Sequence, residues 1–171
     1  MRCRLTAPAP SLEGVYTTRV SRHIDAPASV VYRSLLDPDA VARWRVPYGM
    51  TCRVHTFEAR EGGAFRVSLR YGSPDGAGKS GARTDTYHGT FLELVPYERV
   101  VESIEFESPD PSLHGTMILT TTLTAIEGGT EVQVVHEGVP DAVPATENET
   151  GTRMALDRLA ALAEGRPDPG E

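Results

Sequence analysis

Between Ala64 and Tyr71 the residues Phe65, Val67, Leu69 and Tyr71 alternate with Arg66, Ser68 and Arg70. A period of two puts one apolar and one wet face on the same strand, as an antiparallel sheet packed on one side requires. Six further stretches read as strands: Val15–Ile24, Thr51–Glu58, Thr86–Val95, Arg99–Ser108, Leu113–Ile126 and Thr130–His136. Turn residues separate the later ones, at Glu61-Gly62-Gly63, Pro96-Tyr97, Pro109-Asp110-Pro111 and Gly128-Gly129. A sheet with one apolar face must cover that face with something. The long stretch of helical period near the C-terminus can do so. There Thr152, Ala155, Leu156, Leu159, Leu162 and Ala163 keep an i, i+3, i+4, i+7 rhythm, while Arg153, Asp157, Arg158 and Glu164 take the remaining positions.

Gly165 and Pro167 end that helix. Pro144–Thr150 adds a turn or two upstream, with Gly151 as a weak point. Two short helices follow the first strand. Asp25-Ala26-Pro27 opens one, with Asp25 as cap and Val30, Val31, Ser34 and Leu35 as its stripe; Asp37-Pro38 opens another that ends near Trp44. The expected fold class is α+β: a curved antiparallel sheet of six or seven strands around a long C-terminal helix, with two short helices after the first strand. A gap between sheet and helix then forms a pocket for an apolar ligand. The expected organisation is a tail over residues 1–14, one domain over 15–165 and a tail over 166–171. Residues 72–83, rich in Gly and Ser, read as a hairpin loop that serves as a lid or is a tolerated insertion.

A net charge of −7 offers no basic field for nucleic acid or an anionic membrane. No run of about 18 apolar residues is present, so no membrane span is expected. The first residues lack the apolar stretch of a signal peptide, which makes the cytoplasm the expected location. The cysteines, Cys3 and Cys52, have no metal-ligand spacing, and His23, His55, His88, His114 and His136 are scattered over different elements. Neither a metal nor a cofactor is expected. The sequence has no Walker loop and no Gly-x-Ser-x-Gly elbow.

Several runs carry a resemblance: Ile24-Asp25-Ala26-Pro27-Ala28-Ser29-Val30-Val31-Tyr32, Leu36-Asp37-Pro38-Asp39-Ala40-Val41-Ala42-Arg43-Trp44, Gly128-Gly129-Thr130-Glu131-Val132, His136-Glu137-Gly138-Val139-Pro140-Asp141 and Ala155-Leu156-Asp157-Arg158-Leu159. Over residues 15–165 the chain resembles the SRPBCC superfamily, the helix-grip fold shared with START lipid-transfer domains and the birch-pollen allergen. Within it the chain is similar to the group named after the C-terminal domain of the activator of the ninety-kilodalton heat-shock protein's ATPase. The resemblance implies a helix-grip fold. It leaves activity open, since members include ligand carriers, polyketide cyclases and aromatases, and stress proteins. Members of the group commonly carry Gly-Trp near the start of the last helix, where this chain has Gly151-Thr152. The loss of that ring either enlarges the pocket or is offset by another side chain.

The candidate ligand-binding residues are Trp44, Tyr71, Tyr87, Glu102, Phe106, Met117 and Met154. Trp44 either stacks on a ligand or plugs the gap between its helix and the sheet. Tyr71, Tyr87, Phe106, Met117 and Met154 suit a pocket wall and equally suit a core. Glu102 shares its alternation phase with Val100, Ile104 and Phe106. If that phase faces inward, a carboxylate sits in an apolar cavity; otherwise it is a solvated or sheet-edge glutamate. For His136 a structural hydrogen bond is expected. Three functions compete. The favoured one is non-catalytic binding of an apolar or aromatic small molecule. A second is cyclase- or aromatase-like acid–base catalysis by Glu102, Tyr87 or His114. A third is a co-chaperone-like or stress-response interaction protein, with a homodimer open and a chaperone partner the less favoured option.

Overall fold

The computed structural model describes residues 14–72 and 84–171. Most of the expected N-terminal tail and of the expected 72–83 loop lies outside the described residues. The chain runs β1 (Val15–Ile24), α1 (Ala28–Leu35), α2 (Pro38–Trp44), β2 (Met50–Phe57), β3 (Ala64–Tyr71), β4 (Thr84–Val95), β5 (Arg99–Phe106), a 3-10 turn (Pro111–Leu113), β6 (Met117–Ile126), β7 (Gly129–Pro140) and α3 (Ala145–Glu164). The seven strands form one antiparallel sheet in the order β1-β7-β6-β5-β4-β3-β2. This is the α+β arrangement of a curved antiparallel sheet and a C-terminal helix expected from the periods, and the helix-grip architecture that the resemblance implies.

Local chemistry explains most of the boundaries. Asp37 caps α2, its Oδ1 accepting from the Asp39 backbone N–H at 2.9 Å, with Pro38 in the first turn. Asp25 does not cap α1 as expected. Pro27 occupies the cap position, and the Asp25 backbone N–H instead donates to Glu164 Oε1 at 2.9 Å, tying the start of α1 to the end of α3. The sixth strand begins at Met117 rather than Leu113. Asp110 Oδ1 accepts from the Ser112 backbone N–H at 2.9 Å and turns Pro111–Leu113 into a 3-10 segment; Gly115, at φ +125°, then redirects the chain. The last helix starts at Ala145 and continues through Gly151 without a break.

One assignment on α3 is corrected. Arg158, expected on the wet face, is 8% exposed. Its Nη1 donates to the carbonyls of Val46 at 3.0 Å and Pro47 at 3.4 Å, its Nε donates to Asp168 Oδ1 at 3.0 Å, and the guanidinium lies 5.3 Å from the Tyr48 ring centroid. Loop carbonyls that lack strand partners supply the acceptors that let a charge be buried there.

The core is built from Ile24, Val31, Val41, Phe65, Phe91, Val132, Val139, Leu156 and Leu159, among others. Helix α3 makes its main contacts with β1, α2 and α1 rather than with the middle strands. Sheet curvature therefore leaves a space between α3 and β3–β7. No helix among the described residues is long and apolar enough to cross a membrane.

Candidate functional site

That space is a cavity of about 690 Å³ with a mostly apolar wall. The inward phase of each strand supplies one side: Tyr71 from β3, Tyr87 from β4, Glu102 and Phe106 from β5, Met117 from β6 and His136 from β7. The last residue of α2 supplies Trp44, the link from α2 to β2 supplies Arg45 and Tyr48, and α3 closes the space with Asn148, Thr152 and Met154. All seven candidate residues thus line one cavity. The Trp44 Nε1–H donates to the Ser34 carbonyl at 2.9 Å, which fixes the ring and joins α2 to α1. His114 is not brought there; it is exposed, and its Nε2 lies 2.5 Å from the Ser108 carbonyl.

The inward phase of β5 settles the position of Glu102, which is 3% exposed between Phe91 on β4 and Leu119 on β6. Arg45 meets it there, Nη1 donating to Oε1 at 2.7 Å. The guanidinium also lies 5.4 Å from the Tyr87 ring centroid and 5.8 Å from that of Phe65. Burial alone would lower the proton affinity of Arg45; the Glu102 carboxylate more than offsets this, and the guanidinium stays charged. Removing one partner of such a pair typically costs about 3–5 kcal/mol, because the other charge is left stranded. Sequence reasoning missed Arg45. An inward-phase glutamate demands a cation, but no spacing rule selects an arginine 57 positions away.

Two further polar arrangements line the wall. Tyr71 Oη donates to Asp85 Oδ2 at 3.2 Å. Burial, and then the Asp85 charge, push the Tyr71 phenol up to about 12. On the other side Thr18 Oγ1 donates to Asn148 Oδ1 at 2.6 Å, and Asn148 Nδ2 lies 3.1 Å from His136 Nδ1. His136 therefore makes a hydrogen bond to a helix side chain. Burial, and then the Arg45 charge, push it down to about 4, so the ring is neutral at pH 7. Among the described residues no three side chains of His, Cys, Asp or Glu converge to hold a metal ion.

The arrangement offers a mostly apolar volume with a few fixed polar groups, which is what recognition of a small organic molecule needs. Comparison with known proteins agrees with this architecture. No curated protein matches the chain. A crystal structure of a protein from Chromobacterium violaceum is 38% identical, with a TM-score of 0.77 over 89% of this chain and 98% of that one. A protein from Rhodobacter sphaeroides (22% identity, TM-score 0.72, 87% and 92% covered) shares the fold. So does one from Arthrobacter aurescens (16% identity, TM-score 0.75, 94% and 96% covered). Residues 25–164 match the family model described as Activator of Hsp90 ATPase homolog 1-like protein, and the chain belongs to that family, within the SRPBCC-type helix-grip fold.

Proposed function

We propose that this protein binds an apolar or aromatic small molecule in the cavity between the sheet and α3, without catalysing a reaction on it. The observation that carries this reading is the cavity volume of about 690 Å³. Ligand pockets span roughly 300–1,000 Å³, so the space suits a molecule of several fused or linked rings. The pair Arg45–Glu102 speaks against acid–base catalysis, because Glu102 Oε1 is already engaged by a guanidinium at 2.7 Å.

The family commonly has a tryptophan where this chain has Thr152, which lines the cavity. Thr152→Trp should therefore project an indole into the space and obstruct a ligand there. Native mass spectrometry of the purified full chain should show a co-purifying small molecule in the wild type and none in the variant, with thermal melts confirming that both fold. A ligand-free wild type that also fails to take up apolar probes in solution would overturn the reading, as would undiminished binding in a folded Thr152→Trp protein.

A further inference from the structure

The Arg45–Glu102 pair is joined by a single hydrogen bond, from Nη1 to Oε1 at 2.7 Å. A guanidinium carries several N–H donors and a carboxylate two acceptor oxygens, so one bond leaves most of this capacity unused. Among the described residues, nothing pairs with Oε2 of Glu102 or with Nε and Nη2 of Arg45. These atoms differ from the other unpartnered polar atoms of the cavity wall. Oη of Tyr87 and Nε2 of His136 are sealed off, whereas the open atoms of the pair keep accessible surface. The side chains of Arg45 and Glu102 are 15% and 5% exposed, and both residues line the cavity. The pair therefore turns open donors and an open acceptor toward one space.

Packing holds both partners in place. The guanidinium lies against the rings of Tyr87 and Phe65, and Glu102 sits in mid-sheet between its ladder partners Phe91 and Leu119. The donors and the acceptor are thus fixed before any ligand arrives, which lowers the cost of binding. A buried ion pair offsets its desolvation fully only when its remaining protons and lone pairs also find partners. A ligand that supplies those partners gains what the protein alone leaves unmade.

The chemistry of that ligand follows from the pair. Its charges cancel at 2.7 Å. A carboxylate reaching Arg45 would press against Glu102, and an ammonium reaching Glu102 would press against Arg45. A ketone or ester would serve Arg45 but leave Glu102 facing a lone pair or nothing. A secondary amide held in a ring has its N–H and C=O on the same side, so one small uncharged group can donate and accept at once. We propose that the cavity selects apolar ring systems bearing a lactam, whose oxygen accepts from Arg45 and whose N–H donates to Glu102 Oε2. This rests on the cavity-binding reading above and names the ligand class that reading leaves open.

Three tricyclic probes test it on the full chain: the lactam 6-phenanthridinone, its isosteric lactone 3,4-benzocoumarin, and phenanthrene-9-carboxylate. Trp44, the single tryptophan, lines the cavity and reports binding by its fluorescence. The lactam should bind at least about tenfold more tightly than the lactone, the effect of one net hydrogen bond to a charged group, and the carboxylate more weakly than either. This comparison uses the wild type and needs no variant to fold. In an Arg45→Met/Glu102→Leu protein, where apolar side chains replace the pair as buried pairs often allow, the lactam preference should fall to near unity. A lactone that binds as tightly as the lactam, a carboxylate that binds tightest, or a lactam preference kept in the folded double variant would each overturn the inference while leaving cavity binding intact. Failure of all three probes to bind would sink both.

Discussion

His136 shows how a single side chain on β7 is set by what surrounds it. Its Nδ1 is held by Asn148 on α3, and the nearby Arg45 charge and burial both disfavour a second proton. The ring titrates at about 4 instead of its ordinary 6.5. As the pH falls, the unfolded chain therefore takes up a proton before the folded one does. A lowered folded value means that this contribution is fully present above pH 6.5 and is lost as the pH drops toward 4. Over that window the loss is on the order of 3 kcal/mol. Urea-unfolding free energies of the wild type and of His136→Gln should thus approach one another between about pH 7.5 and about pH 4.5, by roughly 2 kcal/mol or more. A gap that stays constant across that range would show that His136 is not titrating in this way.

At the scale of elements, α3 carries a local inconsistency that tertiary packing overrides. Gly151 sits six positions into a 20-residue helix, where glycine costs about 0.5–1 kcal/mol relative to alanine. A Cβ at that position would lie 3.7 Å from Pro47 Cγ, an ordinary contact, and the backbone φ is not left-handed. Gly151→Ala is therefore expected to raise the unfolding free energy by about 0.5–1 kcal/mol, read as a higher urea midpoint with an unchanged slope. A lower midpoint would mean that the helix must bend there. The same element marks where sequence reasoning reaches its limit. Strand periods placed Glu102 on one face with Val100 and Ile104, because a period of two leaves only two choices, and the inward one is realised. Helical period ranked Arg158 by its polarity. Its burial was decided instead by the carbonyls of Val46 and Pro47 and by Asp168, which are distant or irregular in sequence and carry no period to read. Arg45 escaped for the same reason: its partner lies on another element.

For the whole molecule, the volume of the cavity is the quantity that no local pattern encodes. Every residue proposed for the wall suits a core equally well, and what separates the two roles is how far α3 stands from the middle strands. It leans on β1, α1 and α2, and the curvature of the sheet does the rest. Because six strands, the α2–β2 link and α3 all contribute walls, the site exists only when the entire chain is folded. A molecule bound there has no counterpart site in the unfolded chain, and its binding energy becomes folding energy. At a free concentration one hundred times its Kd, an apolar polycyclic probe that enters the cavity should therefore add about 2.7 kcal/mol to the wild type. For a chain of 171 residues that corresponds to a rise in Tm of about 5–10 °C by scanning calorimetry. The Thr152→Trp protein, with an indole obstructing its cavity from α3, should show a smaller rise at the same concentration. Equal shifts in both proteins would place the ligand on the surface, because only a surface site would be untouched by a ring introduced at position 152.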